Sequence, residues 1–286
     1  MSELFPPDAG DGPSLSDPRP KSADGGRRSP RTNFADIGEH LTALLPPLDL
    51  FQRLALIRAT IPGRLVFTTS FGLEDQAISH AIFSQGLAVD VVTLDTGRLF
   101  SETHDVWAET EHRYGIRVRA FVPGQKKIEA LVAGQGIDGF RSSVGARHAC
   151  CDVRKVIPLG RALARASAWI TGLRAEQSAD RAGLAMAALD QRRNLVKMNP
   201  LLDWRREQVV DFVRTYDVPY NRLHDRGFLS IGCAPCTRAI RPGEPERAGR
   251  WWWEQEASKE CGLHVTADGR VVRARTMQPP HGASSE

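Results

Sequence analysis

Five cysteines are the residues of this 286-residue chain whose types and spacing could do chemistry. Four form two pairs: Cys150 is adjacent to Cys151, and Cys233 and Cys236 form a Cys-x-x-Cys motif. The fifth, Cys261, stands alone in a charged segment near the end of the sequence, followed by Gly262. Paired thiols point to metal or redox chemistry, and a solitary thiolate can act as a nucleophile.

The paired cysteines suit zinc, a dithiol switch or an iron–sulfur cluster. Zinc needs its ligands about 2.3 Å from a single ion, which adjacent cysteines reach only with strain. A cluster relaxes this demand because each thiolate binds a different iron. Geometry therefore favours the cluster over zinc, although buried packing of each pair stays an alternative. Lys155, about one helical turn after Cys151, could offset the charge of a thiolate-ligated cluster, or could be a solvated surface lysine.

Strands and helices alternate in the part of the chain that must position these thiols. Apolar spacing predicts a helix over residues 41–60, interrupted by Pro46 and Pro47, and another within residues 201–219 with Asp203 as its N-cap. Strands are predicted at residues 65–68, up to 94, at 116–123 and up to 171, with helices at about 74–85 and from 101 to Gly115. This alternation predicts an α/β fold with a mostly parallel, twisted sheet flanked by helices.

The loops after three of these strands are expected to form one pocket, because ligands of such sheets bind at the carboxyl ends of the strands. They span residues 69–75, 95–98 and 172–178. The first, within TTSFGLED, places hydroxyls and a glycine before a helix N-terminus, which suits phosphate or sulfate. A plain strand-to-helix turn is the alternative, and a Walker A loop is excluded because the GK[ST] ending is missing.

The first loop resembles the nucleotide loop of the PP-loop adenine-nucleotide family, which reads SGGxDS in ATP-cleaving members. Phe71 replaces the first glycine here, and Glu74 and Asp75 stand where Asp-Ser would be, so ATP hydrolysis is not expected. The sequence instead matches the SFGxED form of the sulfonucleotide reductases, as do LDTGR at 94–98 and TGLRAEQS at 171–178. With the CC…CxxC cysteines, residues 51–264 resemble the [4Fe-4S]-containing assimilatory adenylylsulfate (APS) reductases.

This resemblance implies an oxidoreductase of sulfate assimilation and cysteine biosynthesis. It implies thioredoxin-dependent reduction of adenosine 5′-phosphosulfate (APS) to sulfite and AMP, through an S-sulfocysteine intermediate. Cys261 would be the catalytic residue, because ECGLH at 260–264 resembles the family's tail motif, and His264 could aid its deprotonation. A spare surface thiol and an exposed imidazole are the alternatives. The [4Fe-4S] cluster would be the cofactor, with Lys155 beside it and with these ligands: Cys150, Cys151, Cys233 and Cys236.

Substrate binding is expected on the three loops and just before the tail. The candidate residues are Thr69, Ser70, Phe71, Gly72, Leu94, Asp95, Thr96, Arg98, Thr171, Gly172, Arg174, Arg247 and Arg250. The arginines suit anionic groups of the substrate, and for each of them a solvated surface position is the alternative. The three tryptophans at 251–253 are predicted to pack as an aromatic anchor.

Composition and charge narrow the domain organisation and the partners. With 41% hydrophobic residues, the chain suits one large α/β domain with appendages. We expect a disordered leader at 1–33, the reductase domain at 34–250, and an anchor with a mobile catalytic tail at 251–286. A formal net charge of +4 suits an anionic ligand without requiring nucleic acid. No apolar run approaches the roughly 20 residues of a membrane span.

The compartment and the rival functions follow from the same sequence. Because residues 1–33 lack the apolar stretch of a secretory signal, a cytoplasmic, reducing location is expected. The resemblance implies APS and thioredoxin or a similar dithiol protein as partners, and neither nucleic acid nor a membrane is expected. Oligomeric state is left open, a homo-oligomer included. The alternatives are a reductase of 3′-phosphoadenosine 5′-phosphosulfate (PAPS), a PP-loop tRNA-thiolating enzyme and a four-cysteine zinc module that binds nucleic acid.

Overall fold

The computed structural model describes residues 33–178 and 181–254. A six-stranded sheet in the order β3-β2-β1-β4-β6-β5 lies at its centre. The strands are β1 (Leu65–Thr69), β2 (Asp90–Leu94), β3 (Arg119–Phe121), β4 (Ala168–Ile170), β5 (Ala187–Asp190) and β6 (Leu195–Met198). The described α-helices are α1 (Phe34–Leu44), α2 (Leu50–Thr60), α3 (Leu73–Ser84), α4 (Ser101–Tyr114), α5 (Gln125–Gln135), α6 (Val144–Cys151), α7 (Ile157–Ala162) and α8 (Arg206–Thr215).

Strand β1 is the middle of the parallel part of the sheet, pairing with β2 on one side and β4 on the other. Its residues alternate between two cores: Phe67 packs in the cluster that contains α2 and α3, and Val66 packs with Leu159 of α7. Both faces of the strand are therefore buried, as expected where helices cover a parallel sheet on both sides. The predicted α/β class with a mostly parallel sheet is confirmed.

Two helix predictions differ in detail from the structure. The interruption predicted at Pro46 and Pro47 is present and separates α1 from α2, but α1 starts earlier than residue 41, at Phe34. Helix α2 starts after Asp49, whose carboxylate accepts from the Gln52 backbone N–H. Asp203 as an N-cap is wrong, since α8 starts after Arg205. The Asp203 carboxylate instead accepts two hydrogen bonds from the buried Arg53 guanidinium, at 2.6 and 2.8 Å.

The last turn of α6 carries the first cysteine pair. Helix α6 ends at Cys151 and continues through a π-helical stretch, Asp152–Val156, directly into α7. Lys155 lies in this stretch, where the wider helical turn changes the direction of the side chains relative to a regular helix. Within the described ranges, no helix is long and apolar enough to cross a membrane.

Candidate active site

A cavity of about 200 Å³ lies at the carboxyl ends of β1, β2 and β4. The three predicted loops reach it, and the segment that leads to Trp251 completes its wall. We call it the nucleotide cavity, after the ligand that the sequence predicts for these loops. The candidate substrate-binding residues that line it are Thr69, Ser70, Gly72, Leu94, Thr96, Thr171, Gly172, Arg247 and Arg250. The remaining candidates, Phe71, Asp95, Arg98 and Arg174, are found elsewhere.

Phe71 does not line the cavity but packs in the core beneath the first loop. Its backbone has a φ of +59°, which is uncommon for a bulky residue, and its buried ring stacks on Trp107 with centroids 5.6 Å apart. The loop then enters α3 at Gly72. Three residues into the helix, the Asp75 carboxylate accepts from the Ser70 backbone N–H at 2.6 Å and from the Ser70 hydroxyl at 2.7 Å. These bonds fix the turn that faces the cavity.

Arg174 acts as a link between loops rather than as a lining residue. Its guanidinium is fully buried and donates to Glu74 at 2.8 Å, to Glu176 at 2.8 Å and to both carboxylate oxygens of Glu246. It therefore joins the first loop to the third, and joins both to the residue that precedes Arg247. Because its donors are used by carboxylates, Arg174 supports the cavity wall from outside.

The second loop separates the nucleotide cavity from the cysteines. Asp95 stabilises the turn by accepting from the Gly97 N–H at 2.8 Å. The Thr96 hydroxyl lies 3.3 Å from the Cys233 sulfur, and the Thr96 carbonyl accepts from Arg154 at 2.6 Å. Arg98 lies on the cysteine side, with its guanidinium 5.3 Å from the centre of the Phe140 ring.

Cys150, Cys151, Cys233 and Cys236 line one small cavity of about 20 Å³, which we call the cysteine cavity. All four are free thiols. Four cations share this lining: Arg98, Arg147, Arg154 and Lys155. In the described parts of the chain, no three His, Cys, Asp or Glu side chains are arranged to hold a single metal ion. The donor set fits a multi-iron cluster, in which each thiolate binds its own iron and four sulfurs need not converge on one point.

The cations act most strongly on Cys233. Burial opposes ionisation of this thiol, but Lys155, the Thr96 hydroxyl and nearby arginines outweigh it and hold the Cys233 pKa below its usual value. Burial raises the pKa of Cys150, and burial together with Cys233 raises the pKa of Cys236 to about 11. Positive charge is thus concentrated where a thiolate-ligated group would need it.

Both signs of charge line the nucleotide cavity. Its cations are Lys155, Arg181, Arg247 and Arg250, and its carboxylates are Glu74, Asp75 and Glu246. Lys155 also lines the cysteine cavity, so one ammonium group serves both sites. Sequence reasoning missed Arg181, which follows the third loop by only three residues. It also missed His224, which reaches the cavity from a 3-10 helix, Arg222–Arg226, that carries no motif.

The first tryptophan of the predicted anchor is buried. Trp251 is 1% exposed and packs in the cluster that contains Phe140, Cys233 and Cys236. It also lines the nucleotide cavity. Trp253 lies against the Phe140 ring at 5.8 Å, and Trp252 is more exposed. Cys261 and His264 lie outside the described residues, as do residues 1–32 of the leader that was predicted at 1–33.

Comparison with known proteins identifies the family. Residues 64–239 match the family described as the phosphoadenosine phosphosulfate reductase domain. The chain is 56% identical over 234 residues to adenosine 5′-phosphosulfate reductase of Agrobacterium fabrum, covering 82% of this chain and 90% of that protein. It is 52% identical over 200 residues to adenosine 5′-phosphosulfate reductase of Allochromatium vinosum, covering 70% and 78%.

A solved structure agrees with this assignment. The crystal structure of phosphoadenylyl-sulfate (PAPS) reductase from Candida auris, in a phosphate complex, superimposes with a TM-score of 0.60 at 27% identity, covering 71% of this chain and 95% of that one. The family match at residues 64–239 includes all six strands and the three loops. This chain belongs to the phosphoadenosine phosphosulfate reductase domain family.

Proposed function

We propose that this protein reduces APS to sulfite and AMP, with Cys261 as the nucleophile and thioredoxin or a similar dithiol protein as the reductant. The observation that carries the proposal is the 56% identity to a protein named adenosine 5′-phosphosulfate reductase over 82% of the chain. The nucleotide cavity and the adjoining four cysteines support it. The reaction belongs to sulfate assimilation and cysteine biosynthesis, in the cytoplasm, where thiols stay reduced.

The reaction consists of three displacements at sulfur. The Cys261 thiolate attacks the sulfur of the APS sulfonyl group, an S–S bond forms, and the S–O bond to phosphate breaks so that AMP leaves with the electron pair. A thiolate of the dithiol protein then attacks the Cys261 sulfur, and sulfite leaves with the electrons of the bond to it. The partner's second thiolate then attacks its first sulfur, the mixed disulfide breaks and Cys261 leaves as a thiolate, so the dithiol supplies both electrons.

The residues of the nucleotide cavity bind and orient APS in this proposal. Lys155, Arg247 and Arg250 carry the positive charge for the phosphate and sulfate oxygens, and charge-assisted hydrogen bonds are the stronger kind. Arg174 holds Glu246 in place and thereby fixes the start of the segment that presents Arg247. Ser70, held by Asp75, shapes the loop in front of α3. Orientation of the sulfate for in-line attack lowers the barrier.

A [4Fe-4S] cluster is the cofactor we propose for the cysteine cavity, with four ligands: Cys150, Cys151, Cys233 and Cys236. When bound, the cluster would supply a charged, polarisable group beside the side-chain cations that bind the substrate, and it would not carry electrons. Lys155 would lie between the two, because it lines both cavities. Thr96 would be in contact with one cluster ligand through its hydroxyl.

The test of the nucleophile is direct. Protein given APS without reductant should gain the mass of one sulfonate on the peptide that contains Cys261. The Cys261→Ser variant should bind AMP like the wild type and release no sulfite, because only the attacking thiol is missing. A sulfonate on another cysteine, or normal turnover by the serine variant, would overturn the assignment.

A PAPS reductase is the second candidate. The family description and the Candida auris structure both name PAPS rather than APS. The chemistry at sulfur would be the same, and the two substrates differ in a 3′-phosphate.

A further inference from the structure

The turn from Trp251 to Glu254 contacts both segments that carry the paired cysteines. The Trp251 backbone N–H donates to the Cys236 carbonyl at 3.1 Å, which ties the turn to the Cys-x-x-Cys segment. The Glu254 carboxylate accepts from Arg147 Nε at 2.5 Å, and Arg147 lies on α6, three residues before Cys150. A single turn of chain therefore bridges two segments that are far apart in sequence.

The ion pair in this bridge is buried. The Arg147 side chain is 1% exposed and the Glu254 side chain is 4% exposed. Burial removes the solvation of both charges, so either one left without the other would be costly. The Arg147 guanidinium also lies 4.5 Å from the centre of the Trp251 ring, which adds a cation–π contact. Glu254 and Trp251 thus hold the same arginine.

The backbone of the turn is strained. Trp251 has a φ of +44°, a conformation that bulky residues rarely adopt and that the surrounding contacts must maintain. A second guanidinium, from Arg250, lies 4.6 Å from the same ring. The turn closes with a bond from the Glu254 N–H to the Trp251 carbonyl at 2.9 Å. Release of the Glu254 carboxylate would remove one of the restraints on this conformation.

We propose that the Trp251–Glu254 turn is a clamp that sets the spacing of the two cysteine pairs, with Glu254 acting through Arg147 as a positioning residue for the bound cluster. This inference rests on the proposed [4Fe-4S] cofactor. Arg147 itself lines the cysteine cavity, so a shift of its guanidinium changes the charge and the shape at the sulfurs. Groups around a metal's ligands commonly tune both the affinity and the electronic properties of the metal centre.

The experiment measures cluster loss in the anaerobically purified full-length protein. Wild type, Glu254→Gln and Glu254→Asp are treated with an iron chelator, and the fall in visible absorbance is followed. We expect Glu254→Gln to lose its cluster at least about fivefold faster than wild type, with a changed electron paramagnetic resonance signal after reduction. Glu254→Asp keeps the charge and should fall between the two.

The matched control is Glu244→Gln. Glu244 accepts from Arg238 at 2.7 Å and lines neither cavity, so this variant also removes the carboxylate of an Arg–Glu pair on the same segment. It should lose its cluster at the wild-type rate. The double variant Arg147→Gln/Glu254→Gln removes both buried charges. Its rate of cluster loss should be lower than the rate predicted by adding the separate effects of Arg147→Gln and Glu254→Gln.

The outcomes separate the inference from the cofactor on which it rests. Wild-type protein without iron and acid-labile sulfide would refute the proposed cofactor and the clamp together. A wild-type cluster with an unchanged rate in Glu254→Gln would refute the clamp alone, as would equal acceleration in Glu244→Gln. If Glu254→Gln does not fold, the same comparison of Glu254→Asp with Glu244→Gln decides.

Discussion

At the scale of single residues, burial shifts two titratable groups of the nucleotide cavity toward their neutral forms. Burial raises the pKa of Asp75 to about 6, against the opposing hydrogen bonds from Ser70. Burial and then Arg206 lower the pKa of His224 to about 4. The two shifts have opposite effects on stability. Asp75 stabilises the fold at low pH and loses this contribution as pH rises through 6, whereas His224 destabilises the fold as pH falls from 6.5 toward 4.

Replacement of Asp75 by Asn should therefore change the pH dependence of stability. Between pH 5 and pH 7.5 the wild type should lose about 1 kcal/mol relative to Asp75→Asn, because ionisation of the buried carboxyl is unfavourable. Urea unfolding followed by tryptophan fluorescence at both pH values measures the difference. Any loss of hydrogen bonding in the variant is the same at both values and cancels. For the control His224→Gln, the difference in unfolding free energy from the wild type should change with pH in the opposite direction. The same pH dependence of unfolding free energy in wild type and Asp75→Asn would contradict the prediction.

The cavity arginines should matter individually for substrate binding. Arg247→Ala removes a cation from the nucleotide cavity and should lower kcat/KM for APS by about 10- to 100-fold, the range expected for one hydrogen bond to a charged group. Sulfite release under a saturating dithiol measures it. Arg241→Ala is the matched control, because Arg241 is exposed on the same segment and does not line the cavity. Equal losses in both variants would show that only overall charge matters.

At the scale of elements, sequence reasoning succeeded where the pattern was strong and local. Strands β1 and β2, and the helices that follow them, have apolar runs ended by glycines; Gly115 adopts the left-handed conformation that ends α4. The antiparallel hairpin of β5 and β6 was missed, because its strands have four residues each and the first, Ala-Ala-Leu-Asp, has low strand propensity. The π-helical stretch beside Cys151 carries no sequence signature that we could use.

The sequence predicted the loops that form the cavity and many of the residues that line it, but not which arginines face it. Chain connectivity places the three loops at one edge of the sheet, so their meeting follows from the fold. Whether an arginine faces the cavity depends on its partners, and those come from distant parts of the chain. Glu246 lies 72 residues from Arg174, yet it accepts two of its hydrogen bonds. Such pairings are set by tertiary packing, which spacing along the sequence does not encode.

The close contact between the first and third loops gives an element-scale prediction. A Cβ atom at Gly172 would overlap the Asp75 carboxylate and would lie 3.0 Å from Glu74 Cβ. Gly172→Ala should therefore displace the start of α3 and weaken AMP binding by at least about tenfold, as measured by calorimetry. Gly160→Ala is the control, since Gly160 lies in α7, an added Cβ there would meet open space, and alanine favours helices. Unchanged AMP affinity in Gly172→Ala would show that the loops tolerate separation.

At the scale of the whole molecule, two cavities share one wall. Lys155 and Trp251 border both the nucleotide cavity and the residues packed around the cysteines, and Thr96 is in contact with Cys233 across the second loop. The two cavities are therefore connected through a few side chains. A change of charge on one side acts on the other at short range, in an interior of low dielectric constant.

The balance of charge in the nucleotide cavity gives the last prediction, which concerns the substrate. PAPS carries a 3′-phosphate that APS lacks, and this group adds nearly two negative charges at neutral pH. The described cavity is lined by the carboxylates of Glu74, Asp75 and Glu246 as well as by cations, and Arg174, which binds Glu74 and Glu246, is already held by acidic partners. An added phosphate would meet these carboxylates and would be costly if left without a partner. We therefore expect kcat/KM for APS to exceed that for PAPS by at least about tenfold, measured as sulfite release with the same reductant. Equal or faster turnover of PAPS would reverse the assignment of substrate while leaving the chemistry of Cys261 unchanged.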